Sequence, residues 1–388
     1  MAFLSGIKVI EFSHMVMGPT IGLILGDMGA DVIKIEPIEG DKTRNLLGSG
    51  AGYFAMYNRN KRSIRINLKS EAGHDAVMKL ISEADVVIEN FRAGALDKLA
   101  LGYEDCRKVN SQVIYQSAKG FLEGHYKNRA ALDEVAQMMG GLAYMTGPVG
   151  RPLRAGASVI DVTGGMFGVI GILGAIIDRN NGGPSAHLTA SLFETTAFLV
   201  GQHIAQHAVT GQPAAPMPER ISAWAVYDVF ETADDHVFVG VVTDGQWVKF
   251  CKEFGFDDWA NDESLADNRD RVLKRDEIIP EIRKRFSTMK AADLLARLES
   301  SGMPFAPIQR PEDLVEDPHL SVNGFYDLTL PGSDTDVSLP KLPFSVNGER
   351  LPLHRGIPES GADTDAVMQE IGMSDEEITE LKEAGIIS

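Results

Sequence analysis

The stretch from Arg154 to Arg179 constrains the fold of this chain more than any other part of the sequence. Within it, glycine recurs about once per helical turn among large apolar residues, at Gly165, Gly168, Gly171 and Gly174. This spacing predicts a buried helix over residues 164–177 whose small-residue face lets a neighbouring backbone approach closely. A helix of 14 residues is too short to cross a bilayer, so the pattern indicates a core helix.

Asp161 is the only acidic residue of this stretch before Asp178, and a short run with β propensity, residues 157–160, precedes it. We expect a strand or loop to deliver Asp161 to the mouth of the helix. There its carboxylate would be partly desolvated and still reachable by a ligand. Two interpretations stay open: a catalytic nucleophile or base, or an N-cap residue that accepts the first amide hydrogens of the helix.

The composition is that of a globular protein large enough for two domains, with 388 residues, 44% of them hydrophobic and 24% charged. The N-terminal sequence lacks the pattern of a secretory signal, and no apolar run reaches spanning length, so we expect no membrane association. Cys106 and Cys251 stand far apart without a Cys-x-x-Cys pair. This usage predicts a cytoplasmic protein without a metal site, in which both thiols are more often inert than nucleophilic.

The charge is unevenly spread along the chain. The net charge is −18, but residues 1–130 carry +2 and the remainder carries −20. A polyanionic ligand would therefore bind through the N-terminal third. Nucleic acid is not expected as a partner, because the chain has no sustained basic stripe.

The N-terminal third has the pattern of a βαβ unit. A buried strand over residues 7–12, a helix over 18–28 and a strand over 31–36 predict the first half of a doubly wound parallel sheet. The loop between the first strand and the helix lacks the Gly-x-Gly-x-x-Gly spacing of dinucleotide sites. Glu36 nevertheless stands where such sites carry their ribose-binding acid, so a nicotinamide site stays a weak alternative.

Polar residues follow the predicted strands of this sheet. Asn90, Phe91 and Arg92 come directly after a strand over 85–89, and ligands of open α/β sheets bind beyond the carboxyl ends of the strands. Five basic residues lie between Arg59 and Lys69, where an alternating segment over 64–69 predicts a strand. This cluster is either a local anion site or a solvated strand edge.

The pattern of predicted elements changes after a proline-rich segment near residues 210–218. Short strands and helices then predict a smaller α+β domain. Ser374 followed by Glu377 is a capping box that opens a terminal helix ending at Gly385. The predicted organisation is a large domain over 1–205 completed by 335–388, a small domain over 221–325, and linkers over 206–220 and 326–334.

Several long motifs in fixed order resemble the class III CoA-transferases, the CaiB/BaiF family that includes formyl-CoA and carnitine CoA-transferases. They are GIKVIEFSHMVMGP at the N-terminus, LGDMGADVIKIEP, NRNKRSI, ADVVIENFRAGALDKLALGY and the Asp161 segment. The resemblance covers essentially the whole chain. It implies a Rossmann-like open parallel sheet with a smaller α+β domain, and a homodimer of two interlocked chains.

The resemblance also implies a site. Asp161 matches the catalytic aspartate of the family, and no cofactor or metal ion is bound permanently, since coenzyme A and acyl-CoA are substrates together with a small carboxylic acid. The residues that match coenzyme A contacts are His14, Val16, Met17, Leu68, Lys69, Asn90, Phe91, Arg92 and Lys98.

The reaction implied is the transfer of coenzyme A from an acyl-CoA to a carboxylic acid through an aspartyl anhydride and an aspartyl-CoA thioester. With a reference pKa of about 3.9, the Asp161 carboxylate would be ionised at neutral pH and able to attack a thioester. The glycines after Asp161 would offer backbone N–H groups to the oxyanions.

Two departures from the family pattern bear on the substrate. Val16 stands where the oxalate and formate enzymes carry glutamine, and Asp133 where they carry tyrosine, which argues against oxalate. We expect another small acid, such as a dicarboxylate with succinyl-CoA as donor, and Asp133, Arg154 and Arg220 are the candidate substrate residues. The alternative is an α-methylacyl-CoA racemase of the same fold, but its Gly-His-Asp context reads Ala131-Leu132-Asp133 here.

Overall fold

A computed structural model describes residues 2–220 and 222–388. The chain divides into two compact units. The first contains the residues up to Pro218 together with Val322–Ser388, and the second contains Glu219–Ser321. Each unit is described by itself.

A six-stranded parallel sheet forms the centre of the first unit, with the strand order β3-β2-β1-β4-β5-β6. The order reverses between β1 and β4, which is the arrangement of a doubly wound sheet and confirms the predicted open parallel sheet. The strands are β1 (Lys8–Phe12), β2 (Asp31–Glu36), β3 (Lys61–Arg65), β4 (Val86–Glu89), β5 (Ile114–Lys119) and β6 (Ala186–Ser191).

Helices follow the strands of this sheet. Helix α3 shows how the sequence sets their ends, because the Ser70 hydroxyl accepts the N–H of Gly73 at 3.1 Å as its N-cap. The helices up to Thr210 are α1 (Met17–Asp27), α2 (Tyr53–Tyr57), α3 (Glu71–Ser82), α4 (Tyr103–Val109), α5 (Asp133–Met139), α6 (Leu142–Thr146), α7 (Val159–Asn180), α8 (Leu192–Leu199) and α9 (Gly201–Thr210).

Alternate residues of each strand point to opposite faces of the sheet and fill two separate cores. Val9 and Val86 pack on the face that α1 and α7 cover. Ile10 and Val87 pack on the other face, where they meet residues from the C-terminal end of the chain such as Val367. The C-terminal segment is therefore part of the core of the first unit.

Helix α7 is longer than the 14 residues predicted. It has 22 residues and begins before Asp161, at Val159, so the predicted strand over 157–160 is wrong where Val159 and Ile160 are helical. By length and composition alone the helix would reach across a membrane, which corrects the expectation that no apolar run is so long. Its glycine face packs against α1, as in the core of a globular protein: a Cβ at Gly168 would lie 2.7 Å from Ile21 Cδ1.

The second unit is a small α+β structure in which an antiparallel sheet, β7-β8-β9, packs against helices. Trp247, Phe250 and Phe286 lie at the centre of its core. Its elements are β7 (Val226–Glu231), β8 (His236–Val241), α10 (Asp244–Phe254), α11 (Asp257–Ala260), α12 (Asn268–Leu273), α13 (Arg275–Phe286), α14 (Ala291–Ser301), β9 (Phe305–Pro307) and, at the boundary, α15 (Leu320–Asn323).

The predicted linkers are partly wrong. Residues 206–210 belong to α9, which ends only at Gly211, where φ is +67°. The second predicted linker begins inside β10 (Phe325–Thr329), which pairs with β11 (Asp336–Pro340) in the first unit. Tyr326 and Leu328 are buried there against Phe54, so this segment is core rather than a connection.

Two helices, α16 (Thr364–Glu370) and α17 (Asp375–Glu383), close the chain. The predicted capping box of α17 is confirmed: the Ser374 hydroxyl accepts the N–H of Glu377, and the Glu377 carboxylate accepts the N–H of Ser374 at 2.7 Å. Cys106 and Cys251 are free and buried, and burial raises the pKa of both thiols to about 12. Neither is a nucleophile at neutral pH.

Candidate active site

Asp161 is the third residue of α7. The N-cap position belongs to Ser158, so the interpretation of Asp161 as a capping residue is wrong. The residue is partly buried, so it is neither enclosed in the core nor fully exposed to solvent. Three residues further on, a Cβ at Gly164 would lie 2.9 Å from Met17 Cε, so the second turn of α7 is in direct contact with the start of α1.

The amide groups at the start of α7 are capped by Asp133 from α5. Its Oδ2 accepts the N–H of Ile160 at 2.9 Å and the N–H of Asp161 at 3.1 Å. Its other oxygen, Oδ1, accepts the side-chain amide of Gln137. Asp133 is only 4% exposed, and both of its oxygens are occupied by protein donors. This geometry corrects the prediction of Asp133 as a substrate-binding residue.

The electrostatic surroundings of Asp161 disfavour its charged form. Burial raises the pKa of Asp161 to about 7, and the Asp133 and Glu134 carboxylates push it in the same direction, while Arg154 opposes them. The expectation of a fully ionised carboxylate at neutral pH is therefore wrong for the chain without substrate.

Tyr57, at the end of α2, is a neighbour that the sequence did not point to. Burial raises the pKa of Tyr57 to about 12, and the charges of Asp161 and Asp133 add to the effect. The phenol of Tyr57 therefore stays protonated at neutral pH, and its hydroxyl can donate a hydrogen bond to an acceptor near Asp161. Glu134 and Gln137 were missed in the same way. All three contribute through contacts with residues distant in sequence, which no local motif records.

Arg154 lies beside the same group of carboxylates. Its guanidinium donates to Glu134 and, through Nε, to the carbonyl of Ala155 at 2.9 Å. Nη2 is 4.0 Å from Asp133 Oδ1, and the side chain is 29% exposed. Arg154 therefore lies near Asp161, and its role in binding the substrate stays a prediction. Arg220 belongs to the second unit, and its role stays a prediction.

The glycines after Asp161 do not supply free N–H groups. They lie inside α7, where each amide bonds to the carbonyl four residues earlier, and the N–H of Val162 already reaches the Ser158 carbonyl at 3.0 Å. Their role is close packing: a Cβ at Gly165 would lie 2.9 Å from Thr20 Cβ. The prediction that these glycines form an oxyanion hole is wrong.

Three of the residues matched to coenzyme A contacts form one group. The Asn90 side chain accepts the N–H of His14 at 3.1 Å and donates to the His14 carbonyl at 2.7 Å. The rings of His14 and Phe91 are 5.3 Å apart. The loop after β1 and the end of β4 are therefore joined at the carboxyl edge of the sheet, where ligands of this fold bind.

The loop between β1 and α1 is fixed by contacts with residues of β2 and of the segment that follows it. Lys34 donates to the Ser13 carbonyl at 2.7 Å and pairs with Asp41 at 3.0 Å, and the Thr43 hydroxyl accepts the N–H of Met15 at 3.0 Å. Met15 adopts a left-handed conformation with φ at +64°, which few side chains tolerate without such support.

The other matched residues occupy different surroundings. Val16 and Met17 are buried at the start of α1, so their side chains serve packing in the chain without substrate. Leu68 packs against the same core cluster as Phe91. Lys69, Arg92 and Lys98 are exposed.

The basic cluster between Arg59 and Lys69 is mostly not an anion site. Arg59 is buried and pairs with Asp27 at 2.6 Å, and Lys61 is buried and pairs with Glu11 at 2.8 Å. Arg62 is bound by Asp31 and Glu370 at 2.6 Å each. The prediction is wrong for these three cations, because acids from elsewhere in the chain neutralise them.

Glu36 is likewise engaged, which removes the weak case for a nicotinamide site. Its carboxylate accepts bonds from the Arg44 guanidinium at 2.9 Å and the Ser63 hydroxyl at 2.7 Å. Arg44 also lowers the pKa of Glu36 against the opposing effect of burial. A carboxylate held in this way has no lone pair aimed at a ribose.

Comparison with known proteins decides the family. The model of CoA-transferase family III matches residues 4–364, nearly the whole chain. The chain belongs to CoA-transferase family III. It is an enzyme, and the family predicted from the sequence motifs is confirmed.

Similar members of the family act on several acids, according to their names. The chain is 34% identical to a succinate–glutarate CoA-transferase of Agrobacterium fabrum, over 88% of this chain and 90% of that one. It is 30% identical to a succinyl-CoA:mesaconate CoA-transferase of Haloarcula hispanica, over 94% and 98%. A crystal structure of a CaiB/BaiF family protein from Brucella suis is 33% identical and superposes with a TM-score of 0.83, covering 95% and 98%.

Proposed function

We propose that this CoA-transferase moves coenzyme A from an acyl-CoA to a small carboxylic acid, with Asp161 as the covalent nucleophile. The observation that carries the proposal is the position of Asp161. It lies partly buried on the first turn of α7, and the next turn of the helix packs on the start of α1 through Gly164 and Met17. The loop that leads into α1 holds His14 against Asn90 and Phe91.

Each step exchanges one acyl bond for another. The ionised Asp161 attacks the acyl-CoA carbonyl, the C–S bond breaks, and a mixed anhydride and the coenzyme A thiolate form. The thiolate attacks the aspartyl carbonyl of the anhydride, which releases the donor acid and leaves an aspartyl-CoA thioester. The acceptor carboxylate then attacks this thioester, and the expelled thiolate attacks the acceptor carbonyl of the new anhydride. Acceptor-CoA leaves, and the Asp161 carboxylate is restored.

The chain's own residues have three tasks in this sequence. They hold Asp161 at the attack distance, they keep water from the anhydride, and they admit the thiolate twice without releasing it. A pKa near 7 suits the first step, since a carboxylate that is costly to charge is also less solvated when it attacks. Tyr57, which stays protonated, is placed to donate to negative charge on this side of the site.

The acceptor we propose is a dicarboxylic acid, with succinyl-CoA as a donor. Arg154 is the cation beside Asp161 in the first unit, and its guanidinium is occupied by the Glu134 carboxylate. A second carboxylate on the substrate would take the place of Glu134 in the same geometry. The names of the glutarate and mesaconate relatives support this substrate class.

We also propose that the enzyme works as a homodimer, as the family resemblance implies. The outer face of α7 and the helices after it expose large apolar residues: Ile170 is 60% and Phe198 is 69% exposed. Met166, Ile177 and Ile204 extend the same surface. A second copy of the chain would bury this surface, which is larger than a scatter of single residues. Light scattering of the purified protein would give the mass of two chains.

The test of the proposed function is a screen of acyl-CoA donors against carboxylic acids, read by mass spectrometry of the acyl-CoA products. We expect transfer to at least one dicarboxylic acid. We expect Asp161→Ala to lose transfer while it retains the binding of coenzyme A. Transfer by the Asp161→Ala enzyme at the wild-type rate would overturn the proposal.

The same samples distinguish a racemase. Incubation of the enzyme with an acyl-CoA and hydroxylamine should give a hydroxamate at Asp161 if the anhydride or thioester forms. A racemase would instead exchange the α-proton of the acyl-CoA with deuterium from the solvent. The second base that such an enzyme needs is not offered by Asp133, whose oxygens are bound to backbone and amide donors.

A further inference from the structure

The helix that carries Asp161 begins without a cap of its own. Ser158 occupies the N-cap position, but its side chain makes no capping bond. The first N–H groups of any α-helix lack partners inside the helix and need an outside acceptor. Here the acceptor is the Asp133 carboxylate, which lies 27 residues before Ile160 and takes the N–H groups of Ile160 and Asp161 together.

Asp133 is itself fixed by a second buried residue. Gln137 is 0% exposed, and its side-chain amide donates to Asp133 Oδ1. The side-chain oxygen of Gln137 accepts the N–H of Ala155 at 2.8 Å, in the segment that leads into α7. The two side chains therefore tie α5 to the backbone on both sides of the helix start. The side-chain oxygens of Asp133 and Gln137 all accept hydrogen bonds.

We propose that Asp133 and Gln137 are the positioning residues of the nucleophile: they fix the backbone of Asp161 from α5, and Asp133 sets its own carboxyl group against the first turn that carries Asp161. This inference rests on the proposed role of Asp161. It has a chemical consequence, because the N–H of Asp161 is spent on Asp133 and is not available to an oxyanion. The donors for the anhydride steps must come from other groups, such as the Tyr57 hydroxyl.

Asp133 affects the nucleophile in two ways, through the backbone bonds that cap α7 and through the charge of its carboxylate. The two effects are opposite and can be separated by substitution. The cap orders the first turn of α7, whereas the charge raises the pKa of Asp161. The charged and titratable groups that face Asp161 are Asp133 and Glu134 from α5, Arg154 from the segment before α7, and Tyr57 from α2. Of these, only Asp133 also holds the backbone of Asp161.

Three variants separate the two effects. Asp133→Asn keeps an acceptor oxygen for the helix and removes the charge, but it sets its amide against that of Gln137. Adding Gln137→Glu to it reverses the polarity of that bond: the new amide donates to one oxygen of the glutamate, and the other oxygen still accepts the N–H of Ala155. Asp133→Ala removes both the cap and the charge. The control is Asp267→Ala, which removes an ordinary N-cap from α12 in the second unit.

The measurements are the pH profile of kcat/KM for a donor–acceptor pair that the wild-type enzyme uses, and the pH dependence of the unfolding temperature. For Asp133→Asn we expect the acid limb of the profile to move to lower pH by about one unit. For Asp133→Ala we expect kcat at the optimum to fall on the order of 100-fold, with a smaller change in KM for acyl-CoA. Asp133→Asn should also lower kcat, because its amide group faces the amide group of Gln137, and the Asp133→Asn, Gln137→Glu enzyme should recover most of that loss.

The inference is overturned if Asp133→Ala keeps kcat within about twofold of wild type and the acid limb of Asp133→Asn does not move. It is also overturned if the double variant is no faster than Asp133→Asn. Asp267→Ala should lower the unfolding temperature without moving the acid limb. The measurement of the unfolding temperature against pH needs no substrate. If the wild-type enzyme transferred coenzyme A with no pair, the proposed function would fall, while the pH dependence of unfolding would still test the link between residues 133 and 161.

Discussion

Replacement of Asp161 by asparagine should stabilise the protein, by an amount that grows as the pH rises from about 4 to about 7 and is constant above that. The pKa of Asp161 is raised from 3.8 to about 7 by burial and by the carboxylates beside it. Between these values the folded state binds a proton that the unfolded state has lost, so stability falls as the pH rises through this window. At 1.36 kcal/mol for each pH unit, the full cost above pH 7 is on the order of 4 kcal/mol. Since the side chain is partly exposed, we expect about 2–4 kcal/mol.

The assay is thermal unfolding of wild type and Asp161→Asn between pH 4 and pH 8.5. The two curves should lie close together at pH 4, which is near the pKa of 3.8 of the unfolded state, so that only a small part of the cost is present, and the variant should unfold several degrees higher at pH 8.5. Asp178→Asn is the matched control, because Asp178 is exposed at the other end of the same helix. Parallel curves for wild type and Asp161→Asn over the whole range would refute the reasoning, as would an equal gain from Asp178→Asn.

Three further predictions follow from the site. The kcat/KM of the wild-type enzyme should fall below an apparent pKa of about 7, because protonation of Asp161 removes the nucleophile; a flat profile between pH 5 and pH 8 would contradict this. Arg154→Ala should raise KM for a dicarboxylic acceptor on the order of 10- to 100-fold and leave a monocarboxylic acceptor of equal length nearly unchanged; equal losses for both would remove Arg154 from substrate recognition. Gly165→Ala should destabilise the protein by about 1–3 kcal/mol in urea unfolding, because the added Cβ would lie 3.0 Å from the carbonyl oxygen of Met17, whereas Gly174→Ala, where nothing lies within 4 Å, should not.

The fold was open to prediction because its signals are local. The segments 7–12 and 31–36 are short runs rich in β-branched apolar residues, a local pattern typical of buried strands. Their predicted bounds agree with β1 and β2 to within one residue. The strand predicted over 64–69 failed for a physical reason. The buried strand begins with three polar residues, Lys61, Arg62 and Ser63. Carboxylates that are distant in sequence pair with the two cations and accept the hydroxyl of Ser63, so these residues can be buried.

The site was predictable only in part. Asp161 stood out because it is the one acidic residue between Arg154 and the end of a glycine-rich apolar run, and the family motifs marked it as well. Its surroundings could not be read from the sequence. The bonds from Asp133 to the start of α7 span 27 and 28 residues, and Arg154 meets Glu134 across 20. Such pairs depend on how the chain returns to itself, and no spacing rule reports them.

The covalent role of Asp161 is tested most directly by following oxygen atoms. In the proposed sequence, the acceptor carboxylate gives one oxygen to the anhydride, and that oxygen remains on Asp161 when the thiolate takes the acceptor carbonyl. With an ¹⁸O-labelled acceptor acid and unlabelled donor, mass spectrometry of the peptide that contains Asp161 should show incorporation of the label after turnover, and the donor acid released in later turnovers should carry it. Turnover that leaves Asp161 and the released acid unlabelled would contradict the account.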